Sequence, residues 1–294
     1  MSTEIPTGFS EEFTTNVELL LQQKQSRFRN AVMVKSFTGK SAKAVEQIGS
    51  VTAQKRTTRH ADTPLISTPH DARWVFPVDY EWADLIDAQD ELRAVASFES
   101  AYVENGASAQ KRAQDDEVIA AFFSDTTKTG EDAGTTTTWT AFASANPLHQ
   151  IAAGAAGLTV AKLRAAKKAL MEAEVDIDSE RLYCAISAEQ HDDLLGETQA
   201  ISLDFTTRPV LVEGRITSFM GFNFIHSERL GLSGSDRRVP AWAESGMCLG
   251  IWGDVVGKVS ERDDKSYSTQ VYTKTTIGAT RLEEKKIVEI ICAE

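Results

Sequence analysis

The sequence predicts an α+β protein, because helical and strand-like segments follow one another without a regular repeat. Residues 100–124 and the segment after Thr159 place apolar side chains at helical spacing. Residues 181–187 and 248–260 have the apolar composition of strands, and residues 266–277 alternate polar and apolar side chains. The order along the chain is therefore an arm, a helix, a mixed α+β middle region and a long C-terminal hairpin.

The first predicted element is an amphipathic helix over residues 15–29. Thr15 and Glu18 have the spacing of a capping box, which satisfies free backbone amides at the start of a helix. The apolar side of this helix comprises Val17, Leu20, Leu21 and Phe28. Because the helix stands apart from the compact core segments, we expect this side to dock elsewhere.

Residues 31–80 differ in character from the segments around them. They are rich in Lys, Thr, Ser and Gly, contain three prolines, and alternate only weakly. This pattern predicts a long two-stranded hairpin or loop with little core of its own. Ordered loops of this length are uncommon within a compact domain and are usually functional. An arm that packs on a neighbouring subunit would explain it.

Two helices are predicted next, a short one over residues 81–96 and a longer one over residues 100–124. Small residues on the buried face of the longer helix would permit a close approach to a sheet. That face comprises Tyr102, Val103, Ala107, Ala113, Val118 and Phe122. Residues 126–140 are predicted to form a loop or flexible hairpin.

Thr159 has the position of an N-cap for a third helix, which carries Leu163, Ala166 and Leu170 on one face. A buried strand over residues 181–187 and a short helix over residues 188–196 follow. Residues 210–228 then predict a strand, a turn and a strand.

The C-terminal segments predict a hairpin. Residues 266–277 alternate as a strand, and residues 285–293 form a second, more apolar run. The four residues Arg-Leu-Glu-Glu between them resemble a turn, so we expect the two runs to pair.

The composition is that of a soluble globular protein, with 294 residues, 41% hydrophobic and 25% charged. No apolar run approaches the ~20 residues that span a bilayer, and the N-terminus lacks the pattern of a secretory signal. We therefore expect synthesis in the cytoplasm and no membrane partner. The cysteines are few, odd in number and set among apolar neighbours, which predicts buried free thiols at Cys184, Cys248 and Cys292.

The net charge of −12 argues against a protein that scans DNA for a sequence, although it is compatible with a container for DNA. The charge is also unevenly spread. Residues 35–60 carry six bases against one acid, a net charge of +5. Residues 84–125 carry ten acids against three bases, a net charge of −7. These segments are either two solvated faces or surfaces that dock on each other within or between chains.

One motif suggests a phosphate-binding loop. Residues Gly39-Lys40-Ser41 follow a strand-like apolar run, as in the last part of such a loop. The motif also requires a glycine five residues before Gly39, and that position is Val34. Without it the backbone cannot wrap the phosphates, so a nucleotide-binding enzyme is only the runner-up function.

No other group of residues has the spacing of a catalytic or metal site. The five histidines are scattered, and none forms an i, i+4 pair or lies near a cysteine at ligand spacing. Arg215, Ser218, His226 and Ser227 surround the turn at Gly214, but no serine has the glycine-flanked context of a nucleophile. We therefore expect structural roles for Arg215 and His226, no enzyme activity and no cofactor.

Six segments in order resemble the major capsid proteins of tailed bacteriophages, which have the Hong Kong 97 (Johnson) capsid fold. They are FTTNVELLLQQKQSRFRNAV, RHADTPLISTPHDARWVFPVDYEWADLIDAQDEL, SAYVENGASAQKRAQDDEVIAAFFS, LTVAKLRAAKKALMEAEVD, RLYCAISAEQHDDLL and GRITSFMGFNFIHSERL. No single motif is decisive, but the ordered combination covers nearly the whole chain.

The resemblance implies a division of the chain into an N-terminal arm, an extended loop, a peripheral domain with a long spine helix, and an axial domain. The arm would comprise residues 1–34 and the extended loop residues 35–80. The peripheral domain would comprise residues 81–145 and 256–294, and the axial domain residues 146–255.

The resemblance also implies intersubunit contacts. The basic residues of the extended loop would lie against acids of an adjacent subunit, and the apolar side of the N-terminal helix would find its core between chains. The basic set is Lys35, Lys40, Lys43, Lys55, Arg56 and Arg59. The acidic set is Asp84, Asp87, Asp90, Asp115, Asp116 and Glu117.

The implied function is a major capsid protein that self-assembles as hexamers and pentamers into an icosahedral shell around double-stranded DNA, contacted non-specifically. The implied partners are a portal, a separate scaffolding protein and, in some relatives, decoration proteins. Some relatives cross-link a loop lysine to a neighbouring subunit, but no local feature singles out a lysine here and we do not expect the link. A nanocompartment shell of the encapsulin type has the same fold and is an alternative.

Overall fold

The structure is a computed structural model that describes residues 22–56, 59, 65–86, 99–124, 127–129, 138–140, 142, 147–197 and 214–294. By its internal contacts the chain divides into two compact units. The first comprises Asp79–Ala113 and Gly253–Thr276, together with the chain up to Ser26. The second comprises Arg27–Val78, Gln114–Trp252 and Ile277–Glu294.

The described residues contain three α-helices, and the sequence predicts each of them. Thr159 caps the second helix as predicted, because its side-chain oxygen accepts a hydrogen bond from the Lys162 amide at 3.4 Å. Ser187 and Gln190 form a capping box at the start of the third. The helices are α1 (Glu99–Phe122), α2 (Val160–Glu172) and α3 (Ala188–Gly196).

Fifteen strands lie in the described part of the chain and form three sheets. The first eight are β1 (Met33–Ser36), β2 (Ala42–Ile48), β3 (His70–Val75), β4 (Val78–Ile86), β5 (Thr127–Thr129), β6 (Thr138–Thr140), β7 (Gln150–Ile151) and β8 (Leu182–Ile186). The other seven are β9 (Ser218–Phe219), β10 (Phe222–His226), β11 (Leu232–Ser233), β12 (Asp236–Ala243), β13 (Met247–Arg262), β14 (Ser268–Arg281) and β15 (Ile287–Cys292).

The largest sheet has the strand order β7-β15-β12-β8-β10-β9, with β11 paired to β12, and it lies in the second unit. β10 runs parallel to β8, and β12 runs antiparallel to both β8 and β15. Leu163 and Leu170 of α2 and Leu194 of α3 pack with Cys184 and Ile186 of β8 in one buried cluster. This apolar layer holds both helices on the sheet.

A hairpin arm of β2 and β3 dominates the second sheet. The two strands pair antiparallel from Ala42 opposite Val75 to Ile48 opposite His70. This pairing confirms the two-stranded hairpin predicted within residues 31–80. The short pair β5 and β6 extends the sheet in the order β2-β3-β5-β6.

The third sheet has the order β1-β13-β14-β4. β1 runs parallel to β13, from Met33 opposite Cys248 to Ser36 opposite Ile251. β13 and β14 have 16 and 14 residues and are divided between the two units. The predicted strand at residues 248–260 is therefore confirmed.

In the first unit, α1 approaches β4 and β14 closely because its buried face is small and polar. A Cβ atom added to Gly106 would lie 2.6 Å from the Trp82 ring and 2.9 Å from Thr273. Ser108 and Gln110 are buried beside it. The predicted face is therefore only partly right: Val118 and Phe122 are buried, whereas Tyr102, Val103, Ala107 and Ala113 are half-buried.

Two predicted elements are wrong in the described residues. Residues 81–86 belong to strand β4 rather than to a helix, because the alternating β-formers Val78, Tyr80 and Trp82 pair along β14. The predicted pairing of residues 266–277 with 285–293 is also wrong. β15 instead lies between β12 and β7, since its run IVEIIC is buried on both faces and needs a neighbour on each side.

An aromatic cluster fastens the chain before β1 to the largest sheet. The ring centroids of Phe28 and Trp242 lie 5.9 Å apart, and those of Phe122 and Trp242 lie 4.6 Å apart. The Trp242 indole N–H donates to the Ala31 carbonyl at 2.8 Å. All three rings are fully buried, so the cluster is one of the larger apolar contributions to the second unit.

This cluster corrects the prediction for the N-terminal helix. Phe28 docks within its own chain and not between chains. Residues 22–28 are also not α-helical, because the amides of Arg27 and Phe28 donate to the Asp115 carboxylate instead of to carbonyls one turn back. The other residues of the predicted apolar side, Val17, Leu20 and Leu21, lie outside the described residues.

We predict that Phe28→Ala lowers the free energy of unfolding of the subunit by about 3–5 kcal/mol, because it removes a ring from a filled core. Urea unfolding of dissociated subunits followed by circular dichroism measures the change. Tyr267→Ala is the control, since Tyr267 is 69% exposed and its loss should change stability by less than about 0.5 kcal/mol. Equal effects of the two substitutions would contradict the role of Phe28.

Candidate functional site

Asp115 fixes the segment that enters the second unit, residues 27–31, which we call the strap. The Asp115 side chain is fully buried and accepts the Arg27 amide at 3.0 Å and the Phe28 amide at 3.3 Å. A buried carboxylate is costly unless hydrogen bonds compensate it, and those to a charged acceptor are the strong ones. Asp115 is therefore used within its own chain, which corrects its assignment to the acidic docking set.

Arg27 makes a second contact of the strap. Its guanidinium donates to the His226 ring Nδ1 at 2.9 Å and also to the His226 carbonyl. Because arginine can only donate, Nδ1 accepts, and the proton lies on Nε2, which is 2.8 Å from Glu228. His226 thus has a structural role, as the sequence predicts.

In the first unit, the residues before the strap lie along α1 through polar contacts. Lys24 pairs with Glu104 at 2.8 Å, and Arg112 donates to the Gln22 side chain at 2.7 Å. Lys111 donates to the Gln25 side chain at 3.0 Å. Exposed contacts of this kind contribute little individually, so they orient this segment more than they stabilise it.

Arg281 caps the C-terminus of α1. Its guanidinium is fully buried and donates to the carbonyls of Ala121 and Phe122 at 3.3 Å and of Ser124 at 2.7 Å. The last carbonyls of a helix have no partner within the helix and carry partial negative charge, which a buried cation offsets. The end of α1 is therefore held in place at β14.

The base of the hairpin arm is anchored to the second unit. Arg73 on β3 pairs with the buried Glu284 at 2.9 Å, and the Gln47 amide on β2 donates to the Leu282 carbonyl at 2.5 Å. Gly49 donates its amide to the Pro69 carbonyl at 2.8 Å, which closes the neck of the arm. The arm is therefore fixed at its base.

The tip of the arm, residues 49–69, is exposed wherever it is described, apart from half-buried Thr68. Beside and within it, Ile48 is 69% exposed, Val51 53% and Leu65 98%. A soluble monomer rarely presents apolar side chains together on an extended arm, and such a surface is typical of an interface.

The basic docking residues occupy different environments. Lys35 is used within the chain, because its ammonium donates to the Ala44 carbonyl at 2.7 Å. Lys43 pairs with Glu46 at 2.9 Å and lies over the Trp74 ring. The remaining members are exposed on or near the arm: Lys40, Lys55, Arg56 and Arg59.

Among the other acids, Asp84 is exposed on β4 and Glu117 is half-buried on α1. Asp116 forms an ion pair with Arg229 within the second unit. Asp87 and Asp90 lie outside the described residues. The docking of the basic set on the acids of a neighbour thus stays a prediction, and Asp115 is removed from it.

The phosphate-binding alternative does not fit the backbone around Gly39. Such a loop leads into a helix whose N-terminus faces the phosphates. Here strand β2 begins at Ala42, directly after Ser41. Gly39 has a φ of 92° and serves the turn between β1 and β2. The sequence motif is therefore a turn between two strands of different sheets.

The histidine and acids of α3 also have structural uses. Asp193 accepts the Leu158 amide at 2.8 Å, and His191 Nε2 accepts the Ile216 amide at 3.2 Å. Burial of the ring lowers the pKa of His191, and the nearby His226 and Arg215 lower it further. In the described part of the chain no three His, Cys, Asp or Glu side chains are grouped as metal ligands.

The three cysteines are free and buried, as predicted. Burial raises the pKa of the Cys248 thiol to about 11 and that of Cys292 to about 12, and it raises the pKa of Cys184 as well. Thiols with raised pKa values are poor nucleophiles. No helix among the described residues has the length and apolar character to cross a membrane.

The sequence matches the Phage capsid protein family over residues 5–294. The chain belongs to the phage capsid protein family. No curated protein sequence matches it as a relative.

Solved structures of similar fold come from several phages and related particles. The structure from Mycobacterium phage Che8 is 17% identical with a TM-score of 0.71, and the match covers 96% of this chain and 97% of that one. The capsid of cyanophage P-SCSP1u is 18% identical with a TM-score of 0.72, and the match covers 100% of this chain and 96% of that one. The capsid of a native GTA particle is 12% identical with a TM-score of 0.74, and the match covers 99% of this chain and 98% of that one. The predicted α+β fold of the Hong Kong 97 type is therefore confirmed.

We predict that Asp115→Asn frees the strap, because the neutral amide is a weaker acceptor for two backbone amides in a buried site. The substitution should lower the free energy of unfolding by about 2 kcal/mol. It should also make the peptide bonds after Arg27 and Arg29 cleavable by trypsin. Limited proteolysis with mass spectrometry measures the change. Asp116→Asn is the matched control, because it removes only a partly exposed ion pair with Arg229. Equal protection of the strap in both variants would contradict the role of Asp115.

The lowered pKa of His191 predicts an acid-sensitive contribution to stability. Because the folded pKa lies below the ordinary value of 6.5, the contribution is complete above that pH. It is lost as the pH falls, since the unfolded chain then binds the proton first. We expect His191→Gln, which retains an acceptor but does not titrate, to reduce the fall in urea midpoint between about pH 8 and pH 5.5. His70→Gln, at an exposed position, is the control. An unchanged pH dependence in His191→Gln would refute the assignment.

Proposed function

We propose that this member of the phage capsid protein family is the major capsid protein of a tailed phage. Copies of the chain would assemble as hexamers and pentamers into an icosahedral shell. The shell would enclose double-stranded DNA and contact it non-specifically. The observation that carries the proposal is the hairpin arm, which is fastened at its base and carries exposed apolar side chains toward its tip.

The arm has the properties that a neighbour-binding element requires. The buried pair of Arg73 and Glu284 fixes its direction, so little conformational entropy remains to be lost when the tip binds. The tip offers Val51 and Leu65 for burial. Burial of apolar area is favourable by ~25 cal/mol per Å². A tip covered by a neighbouring subunit is therefore more stable than a tip exposed to water.

We propose that charge directs this contact. Lys40 and Lys55 are exposed bases of the arm, and Asp84 is an exposed acid of β4 in the first unit. Opposite charges on the arm and on its target would steer the encounter and fix its register. The contribution to affinity is smaller, because exposed ion pairs contribute less than about 1 kcal/mol each.

The division into an arm over residues 1–34, an extended loop over 35–80, a peripheral domain and an axial domain is part of this proposal. Six strands of the largest sheet, β7 to β12, lie in the proposed axial segment, residues 146–255. β15 also belongs to this sheet, although it comes from the segment assigned to the peripheral domain, 256–294. The C-terminal strand would therefore belong to the peripheral domain by its position in the sequence and to the axial domain by its sheet.

The further partners follow from the proposed role. A portal and scaffolding would act during assembly in the host cytoplasm, and the finished shell could also bind decoration proteins. The role is structural and not catalytic, which the turn geometry at Gly39 and the buried thiols support. The mature location would be the virion shell.

The test removes the tip and leaves the base intact. Residues 50–68 would be replaced by Asn-Gly, because Gly49 and Pro69 already meet in a hydrogen bond that such a turn can close. We expect folded subunits and a fall of about tenfold or more in closed shells, since a loss of ~1.4 kcal/mol per contact already lowers association tenfold. Electron microscopy and light scattering measure the shells.

The native chain expressed in parallel is the control for this experiment, and circular dichroism verifies that the shortened chain is folded. Intact shells from the shortened chain would refute the role of the tip. A native chain that stays monomeric with its neighbouring phage genes would refute the capsid function itself. Shells filled with protein instead of nucleic acid would identify a nanocompartment.

A further inference from the structure

The helix pair on the largest sheet carries opposite charges. Both helices belong to the second unit and contribute to one buried cluster. α2 contains four bases and one acid, whereas residues 188–197, which include α3, contain four acids and no base. Some of these charged side chains point inward and bond other groups of the chain, whereas others are exposed.

The inward charges are used by the fold. Lys162 of α2 is buried and donates to the carbonyls of Ala156 at 2.6 Å and Ile291 at 2.9 Å. Lys167 donates to the Met220 carbonyl at 2.9 Å, and Asp193 of α3 accepts the Leu158 amide. These three residues fix loops against the sheet and are therefore not available to a partner.

The outward charges are not used in this way. Arg164 and Lys168 are exposed one turn apart on α2, and Glu189 and Asp192 are exposed about one turn apart on α3. Among the described residues, the only ion pair of these four side chains joins Lys168 to Glu172 of the same helix at 3.4 Å, and it is well exposed. The two helices thus present a basic and an acidic face of similar spacing.

The basic face also has an apolar floor. A depression of about 440 Å³ is lined by Arg164, Lys167, Lys168, Met171, Glu172 and Met220. Met171 is 55% exposed there. Basic groups around flexible apolar side chains suit an acidic protein surface better than a phosphate backbone, which offers nothing to cover the methionines.

The acidic face allows a close approach. Its exposed acids Glu189 and Asp192 lie between the small exposed residues Ala188 and Gly196. A helix face with small residues lets another helix lie near its backbone. The charge of this face therefore complements that of the basic face.

The two faces are separate patches of the subunit. α2 packs on β15 and β7, whereas α3 packs on β8, so the helices cover different parts of the sheet. A contact between different patches of identical subunits can join them head to tail, and such contacts close into rings when the rotation allows. A second copy of this chain thus supplies the acidic partner without any further protein.

We infer that the α2 face with Arg164, Lys168 and Met171 docks on the α3 face with Glu189 and Asp192 of a second copy, head to tail, within the rings of the shell. The inference rests on the proposed capsid function and assigns a ring contact to it. The contact is electrostatic at its rim and apolar at Met171. It should therefore weaken as salt screens the exposed charges.

A charge-swap series tests the inference in the full-length chain. Arg164→Glu with Lys168→Glu makes both faces acidic, and Glu189→Lys with Asp192→Lys makes both basic. Each double variant should give about tenfold fewer rings and shells than the native chain at equal concentration and low salt. The variant with all four substitutions restores opposite charges and should recover at least about half of the native yield.

Arg181→Glu with Lys274→Glu is the matched control, since it changes the net charge as the first variant does at exposed positions off both faces. It should assemble as the native chain does. Circular dichroism of the dissociated subunits verifies folding in every variant. The inference would be overturned if either double variant assembled as the native chain does. It would also be overturned if the variant with all four substitutions failed to recover assembly, or if the control lost as much assembly as the double variants.

Binding of double-stranded DNA to the same variants separates the remaining explanation. If Arg164→Glu with Lys168→Glu assembles normally but loses DNA binding in a gel-shift experiment, the α2 face contacts DNA and the inference is overturned. A native chain that forms no rings or shells would instead refute the capsid function, so the two failures are distinguishable.

Discussion

The buried carboxylate of Asp115 is the interaction on which the second unit depends at its entry point. Its bonds to the amides of Arg27 and Phe28 take the place of helical hydrogen bonds in the strap and direct the Phe28 ring onto Trp242. The same strap then leads into β1, which pairs with β13. A charge within α1 therefore decides where the chain becomes a strand, because a buried carboxylate without these donors would be too costly to retain.

Buried arginines do the corresponding work at two other points of the second unit. Arg281 holds the carbonyl end of α1, and Arg73 with Glu284 holds the base of the hairpin arm. Both guanidiniums bond groups that would otherwise lack partners in a low-dielectric site. The arm can therefore extend from the unit in a fixed direction. Binding to a neighbour then requires no further loss of conformational entropy at the base of the arm.

Short-range sequence patterns predicted the elements that depend on neighbouring residues, such as helix caps and strands. Thr159 caps α2, and the weak alternation within residues 31–80 predicted a two-stranded hairpin, which β2 and β3 form. Non-local choices were not predictable. β15 pairs with β12 because it is buried on both faces, whereas proximity along the chain favoured β14. Charge counting placed Asp115 with the surface acids, since no sequence pattern distinguishes a carboxylate that meets a distant backbone from its solvated neighbour Asp116.

The features that the single subunit leaves unused are the ones that a shell requires. Leu65 and the outward charges of α2 and α3 are exposed, while inward residues of the same types, such as Lys162 and Asp193, donate to or accept from backbone groups of the described chain. Each outward contact is weak alone, because exposed charges and single apolar side chains contribute little. In a closed shell every subunit makes the same contacts on several sides at once, so their effective concentration, more than their individual strength, holds the particle together.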